Sequence, residues 1–504
     1  MAESFQYGLD QLTINKSLQL SRGDLQGVLT EDIKSRLLKS YELVQEIAES
    51  ENLVYGINTG LGSLCNKRIS KKDIRKLQEN LLKSHSVGVG EPISHELVKL
   101  MLILKAHSLC YGYSGISLAV IKRICWHIEH NFISLVPEQG SVGASGDLAP
   151  LAHLFLPLLG LGMLSQDGAK YVPSSEFLKT NHLSPLNLGP KEGLALINGT
   201  QFISAHAIVV SEKLARCLDY ADIIGAVSLE SMLESHKPFD ERLHKLRSHP
   251  GALAVAKRMR TILEGSQVNK SHTHCGRVQD PYSVRCIPPV HGASRDALDH
   301  LNEKLLCELN SVTDNPIIFS AKDAISCGNF HGQPLALPLD YVSLAASELG
   351  SISERRTSLL LGGNAGLPIY LMKESGLNSG FMITQYCAAA LVSENKSLCF
   401  PASADSIPTS LGQEDHVSMG SISGRKALAI VKNLEKILAI ELLCSAQALD
   451  FRSPTKTSKT LERFHTLIRK KIPHLKEDEV MSNYIETARK FVSSDDLLRA
   501  TLAP

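Results

Sequence analysis

The stretch Gly140-Ser141-Val142-Gly143-Ala144-Ser145-Gly146-Asp147-Leu148 holds three small residues between a glycine and an aspartate. Small side chains let backbone atoms approach where larger ones would block them. If the Gly146 nitrogen attacks the Ala144 carbonyl carbon, the ring that closes contains that carbon, the Ser145 nitrogen, Cα and carbonyl carbon, and the Gly146 nitrogen. Such a five-membered ring is unstrained. Loss of the Ser145 hydroxyl as water then makes its Cβ an electrophilic methylidene carbon, a cofactor built from Ala144, Ser145 and Gly146 alone. The same residues also suit a glycine-rich turn before a buried helix, and on the tripeptide alone that turn is the commoner arrangement. A hydrolase nucleophile at Ser145 fits less well, because its elbow needs glycine two residues on and Asp147 stands there.

Other residues could join such chemistry. Tyr55 sits in the glycine-rich loop Val54-Tyr55-Gly56-Ile57-Asn58-Thr59-Gly60-Leu61-Gly62, which lacks the Gly-Lys-Ser/Thr of a phosphate loop. A tyrosine there is an acid or base if its pKa is lowered, or otherwise a packed aromatic. His85 precedes Gly88 and Gly90, as a substrate contact or as a cation at a helix C-terminus. Asn198 lies in the apolar run Leu194-Ala195-Leu196-Ile197 and needs partners, as a bridge between helices or as a site group. Tyr282 and Arg285 share a face if their segment is helical, and an arginine fork suits a carboxylate. His272-Thr273-His274-Cys275 has no second ligand pair at finger spacing and reads as a polar loop, so no metal is expected.

These groups need a scaffold. Leu12-Thr13-Ile14 and Leu18-Gln19-Leu20 read as short extended pieces. Helical spacing begins at a Thr30 cap with Ile33, Leu37, Tyr41, Val44 and Ile47, and returns from Ser70 to about Leu82 and from Leu97 to Leu109. Leu148 to Leu164 is apolar but too short to span a bilayer, and Pro150, Pro157 and Gly160 interrupt it, so it reads as a buried helix or helix pair. Asp167-Gly168 to Pro173 suggests a hairpin. A helical pattern then runs from Lys191 through Leu218, and others cover Leu298 to Leu309, Asp340 to Leu361, a segment through Ala388-Ala389-Ala390, and Leu428 to Leu449. Cys327 to Gly332 and Phe400 to Ser418 read as loops. The expected fold is mainly α, a long helical bundle with a smaller mixed N-terminal region: residues 1–110 as that region and residues 111–504 as the bundle with a helical cap.

Composition narrows the partners. Fifty-three basic against 52 acidic residues leave a net charge of +1, which gives no electrostatic case for nucleic acid or an anionic membrane. Eleven dispersed cysteines, with no secretory leader apparent, point to reduced thiols in a cytoplasm.

Five motifs occur in order: Tyr55-Gly56-Ile57-Asn58-Thr59-Gly60, Gly140 to Pro150, Ile197-Asn198-Gly199-Thr200, Gly328-Asn329-Phe330-His331 and Gln413-Glu414-Asp415-His416. Together they resemble the aromatic amino acid ammonia-lyases that make their own 4-methylidene-imidazol-5-one (MIO), most of all the histidine branch, from roughly Tyr55 to Met419. The resemblance implies the fumarase/aspartase-like helical bundle and an MIO formed from Ala144-Ser145-Gly146, with no external cofactor. It implies Tyr55 as the base for the β-proton, Tyr282 as a second catalytic tyrosine, and Arg285 as the holder of the substrate carboxylate. Asn198 would support the electrophile or that carboxylate, and Gln279 and Phe330 would shape the site. Substrate choice rests on His85 and Glu414, which can hydrogen-bond an imidazole; Met382 also resembles the histidine branch. The implied reaction is elimination of ammonia from L-histidine to trans-urocanate by a homotetramer with shared active sites.

Two departures are visible. Leu61 stands where the family usually has Phe, and Leu411-Gly412 where the histidine branch more often has Ala-Asn. Both bear on pocket shape and remove no reacting group. A tyrosine or phenylalanine ammonia-lyase, a 2,3-aminomutase with the same electrophile, and a non-catalytic helical scaffold are the alternatives.

Overall fold

The computed structural model describes residues 4–271 and 278–502; the His272-Thr273-His274-Cys275 segment lies outside them. The chain forms two compact units that interleave along the sequence. The first comprises Met1–Val209, Asn302–Asp340 and Pro401–Arg425, and the second Val210–Leu301, Tyr341–Phe400 and Lys426–Pro504. The mainly α expectation holds, since helices dominate and the strands are two to four residues long. No described helix is long and apolar enough to cross a membrane.

In the first unit, Ser4–Gln6 pairs in parallel with Gln26–Val28. Of the segments read as extended between them, Leu18-Gln19-Leu20 and Ile14 instead belong to the helix Ile14–Arg22, while Leu12 and Thr13 precede it. Thr13 caps it by accepting from the Lys16 N–H, and Gly23 ends it in the left-handed region. Those end signals outweigh the β-branched residues at its start. The helix Glu31–Glu49 has the expected Thr30 cap, with Ile33, Leu37, Val44 and Ile47 buried. The next helix, Ile74–His85, starts later than its Ser70 signal, because the Ser70 hydroxyl bonds the Asp73 carboxylate in a preceding turn. In the helix His95–Leu109, every residue from Leu97 onward is buried.

The apolar run after Gly146 is not one helix. It divides into a helix Leu148–Phe155, a 3₁₀ turn Leu156–Leu159 and a strand Met163–Ser165, which pairs antiparallel with Val172–Pro173 in the expected hairpin. Pro157 cannot supply the N–H that a continuing helix needs. The helical pattern from Lys191 also divides, into Glu192–Ile197 and Gln201–Ser231. Asn198 between them is extended (φ −91°, ψ 127°) and Gly199 has φ +135°, a region open essentially to glycine.

The second unit contains the helices Pro250–Leu263, Met382–Leu398, Lys459–Arg469 and Met481–Val492, with the later part of Gln201–Ser231 and most of Ile287–Leu309. It also holds most of Gln333–Leu361 and Gly420–Asp450. The last is the cleanest periodic stretch of the sequence, and its residues from Ile437 to Ala448 are buried throughout.

Candidate active site

The tripeptide Ala144-Ser145-Gly146 lies in the first unit, and its Ser145 lines a cavity of about 1180 Å³. A local bridge pairs Ala144 with Gly146, and a second pairs Gly146 with Gly199. Gly146 has φ +72°, and a Cβ there would lie 2.1 Å from the Gly199 carbonyl oxygen and 3.0 Å from that of Phe330. Only glycine allows this approach. Behind the tripeptide, Ala144 packs with Val417 and Met419.

Asp147 ties the turn to the Asn198-Gly199 break. Its N–H donates to the Gly199 carbonyl at 2.7 Å, and its carboxylate accepts from the N–H groups of Phe202 and Ile203 at 2.9 and 3.0 Å. It thus caps the Gln201–Ser231 helix from a distant segment. Burial pushes its carboxyl up to about 7, against the helix amides and the Ser421 hydroxyl that pull it down.

Asn198 Nδ2 donates to the Ser145 carbonyl at 2.8 Å, while its own Oδ1 is buried without a protein partner. Lys105, fully buried, donates to the Asn198 backbone carbonyl at 2.6 Å, and burial lowers its amine to about 7. Glu414 faces the tripeptide from the other side. Its Oε1 accepts from Ser145 Oγ at 3.2 Å and its Oε2 from Thr409 Oγ1 at 2.8 Å. Tyr55, His85 and Phe330 line the same cavity. His85, at the C-terminus of its helix, bonds Ser84 Oγ through Nδ1 at 3.0 Å. Burial lowers its pKa, more than Glu414 and the Leu81 backbone raise it, so the ring is held neutral.

Tyr55 differs from expectation. A base there calls for cationic or helix N-terminal neighbours, yet burial raises its pKa and the Glu414 carboxylate adds to the rise. The Gly62 N–H, 3.3 Å from the phenol oxygen, is the opposing influence. Leu61 and Ser410 also line the cavity. Leu411 is 94% exposed in a left-handed turn (φ +57°), so this departure from the family pattern points to solvent.

The structure brings Tyr55, His85, Ala144, Ser145, Gly146, Asn198, Phe330 and Glu414 together. Gln279, Tyr282, Arg285 and Met382 belong to the second unit and do not line this cavity. Tyr282 and Arg285 bound a short helix, Tyr282–Arg285, with the guanidinium over the phenol ring at 4.5 Å and donating to Gln279 Oε1 at 2.8 Å. Met382 opens the helix Met382–Leu398, half-buried. Sequence reasoning missed Lys105 and Thr409. Lys105 had a signal, as the one charge in the middle of Leu100-Met101-Leu102-Ile103-Leu104-Lys105-Ala106; Thr409 had none.

Over residues 12–470 the chain matches the family described as aromatic amino acid lyase. The chain belongs to the aromatic amino acid lyase family. Among its relatives, a histidine ammonia-lyase of Natranaerobius thermophilus is 45% identical over 467 residues, covering 92% of each chain. A crystal structure of histidine ammonia-lyase from Trypanosoma cruzi superposes with a TM-score of 0.90 at 38% identity, covering 99% of this chain and 95% of that one. The tyrosine aminomutase of Streptomyces globisporus, another member of this fold, superposes with a TM-score of 0.92 at 33% identity, covering 99% and 98%. The family match thus takes in most of this chain, and its helical architecture is the family's.

Proposed function

We propose that this chain is a histidine ammonia-lyase, a carbon–nitrogen lyase that eliminates ammonia from L-histidine to give trans-urocanate, the first step of histidine breakdown. The observation that carries the reading is the Glu414 carboxylate 3.2 Å from Ser145 Oγ, in one cavity with Tyr55, His85 and Asn198. A carboxylate and a neutral imidazole are suited to the two ring nitrogens of a histidine substrate.

The residues around Ala144-Ser145-Gly146 fit a ring closed within the tripeptide. Gly146 is pressed against two carbonyls where no side chain could stand, and the Ser145 carbonyl has its donor in Asn198. In the reading proposed here, MIO formed from these residues supplies an electrophilic carbon that makes the substrate amine a better leaving group. Asn198 Nδ2, by donating to the Ser145 carbonyl, draws electron density from the adjoining carbons. Loss of the Ser145 hydroxyl leaves Glu414 Oε1 free to accept from an imidazole N–H, while Thr409 keeps the carboxylate aimed. His85 holds the second ring nitrogen. Tyr55 takes the β-proton, and a cation brought near it must offset the burial and the Glu414 charge that now raise its pKa.

Arg285 is the fitting cation and the fitting partner for the substrate carboxylate. Since it and Tyr282 do not line the cavity of their own chain, the proposal includes their supply by a second copy, in a homotetramer with shared sites. A cytoplasmic location completes the reading, on the dispersed cysteines, none of which is disulfide-bonded among the described residues.

Purified protein incubated in parallel with L-histidine, L-tyrosine and L-phenylalanine tests this. Urocanate from histidine, with far slower turnover of the other two, is the expected result. Accumulation of β-histidine would replace the lyase by an aminomutase, and preference for tyrosine would overturn the roles of His85 and Glu414.

A further inference from the structure

The second unit contains a buried ionic cluster that the chemistry above does not use. Arg356 and Glu441, both without solvent exposure, meet as a fork, with Nε to Oε1 at 2.6 Å and Nη2 to Oε2 at 2.9 Å. The hydroxyls of Ser228 and Ser353 donate to the same carboxylate at 2.7 and 2.6 Å. Arg356 Nη1 lies 3.3 Å from His291 Nε2, and His291 Nδ1 is bonded to Asp222 at 2.9 Å. Arg295 and Arg258 complete the cluster at Asp222. Ionic groups are a poor means of merely holding helices together, because apolar side chains of similar volume commonly stabilise as well or better. Their positions are therefore informative.

One arm of the cluster leaves the long helices. Arg356 Nη1 donates to the Ser283 carbonyl at 3.3 Å. Ser283 is the second residue of the helix Tyr282–Arg285. Val284 beside it is fully buried, while Tyr282 is 72% exposed. The inner side of this short helix is thus held by Val284 and Arg356, and the outer side presents Tyr282, Arg285 and the Gln279 that Arg285 grips. Four residues make too few hydrogen bonds of their own to define an orientation, so the contacts around the helix set it.

We propose that Arg356, held by Glu441, is a positioning residue that fixes the Tyr282–Arg285 helix and thereby sets where the Tyr282 phenol and the Arg285 guanidinium meet the substrate. This rests on the roles proposed above for Tyr282 and Arg285. The double variant Arg356→Met with Glu441→Leu removes both buried charges and leaves neither unpaired, so the full chain should fold. Its melting temperature should stay within a few degrees of wild type and its intact mass should match the wild type apart from the two substitutions. Its KM for L-histidine should rise at least tenfold, with a smaller change in kcat. Arg356→Lys, which keeps the charge opposite Glu441 but loses the fork, should shift KM in the same direction and covers the case in which the double variant does not fold.

Wild-type KM and kcat in either folded variant would overturn the proposal, and so would a lowered melting temperature with unchanged kinetics, which assigns the cluster to stability alone. Tyr282→Phe and Arg285→Lys are assayed beside them. If these two behave as wild type, the roles given to Tyr282 and Arg285 fall, and that failure is distinct from a failure of the clamp.

Discussion

Ser145 has a hydroxyl that hydrogen-bonds a carboxylate and a carbonyl that accepts from a buried amide, with a glycine on its C-terminal side pressed against two further carbonyls. No single one of these contacts is unusual; their convergence on one tripeptide is what suits ring closure. Ser145→Ala should therefore abolish urocanate production while leaving the circular-dichroism spectrum intact. Intact-mass measurement provides the check: wild type should be two waters lighter than its sequence and the variant should not be. Glu414→Gln keeps the shape and removes the charge. It should lower kcat/KM for histidine by about a hundredfold or more, the range of a lost acid–base group, and move the melting temperature by only a few degrees. Unchanged kcat/KM would separate Glu414 from substrate recognition. The ring count, the Tyr282–Arg285 spacing and the isolated Asn198 were legible from residue types alone. The raised pKa of Tyr55 was not, because burial and the neighbouring Glu414 come from segments far apart in the chain.

Among the elements, the break between Glu192–Ile197 and Gln201–Ser231 matters most. The apolar spacing runs through Asn198 and Gly199 without interruption, so periodicity alone predicts one helix. The break is set by Asp147, which takes the first amides of the second helix, and by Lys105, which takes the Asn198 carbonyl. Both contacts are invisible to local pattern. Gly199→Ala would place a Cβ 2.6 Å from Gln201 Oε1 at φ +135°. It should cost about 1–3 kcal/mol and disturb the Asn198 amide beneath Ser145. A lower melting temperature together with partial retention of the two waters in the intact mass is the expected result, and a fully processed, wild-type-stable protein would count against this role for the break. The Leu148 to Leu164 run and the Leu12 to Leu20 run show the same lesson from the other side. The sequence pattern reads the first as a buried helix or helix pair and the second as extended, but Pro157 in one and the Thr13 and Gly23 caps in the other decided the element type.

For the molecule as a whole, two properties follow. The first is acid sensitivity. His107 and His127 are buried, and burial lowers both to about 4. His107 Nδ1 accepts from the Gly8 N–H at 3.1 Å, an interaction open only to the neutral ring. Unfolded histidine titrates near 6.5, so between about 6.5 and 4 the unfolded chain binds protons that the folded chain does not. Stability is then fully present above about 6.5 and falls as pH drops toward 4, by an order of 3 kcal/mol for each ring. Asp147, raised to about 7 from an ordinary carboxyl value below 4, acts in the opposite sense across the whole of that range, and the two histidines together outweigh it. Melting temperatures measured from pH 7 to pH 4 should fall. His127→Asn, whose amide can still donate to the Phe132 carbonyl, should make the fall shallower; an equal slope would remove His127 as a contributor. The second property concerns assembly. If Arg285 serves a neighbouring copy, Ser145→Ala and Arg285→Ala chains, each inactive alone, should regain partial activity when unfolded together and refolded as a mixture. No recovery in mixed oligomers would argue for sites confined to one chain.

Helix content, the burial of the apolar runs and the chemical kind of the groups around Ala144-Ser145-Gly146 were all present in residue order, because caps, periodicity and functional-group chemistry act over a few residues. The folded chain decided which groups share a cavity. It placed Glu414, 269 positions away, against Ser145, set Asn198 under the Ser145 carbonyl, and left Tyr282 and Arg285 on a helix gripped by Arg356 outside that cavity. Those arrangements depend on contacts between distant segments and on the burial of charge, and neither has a local signature.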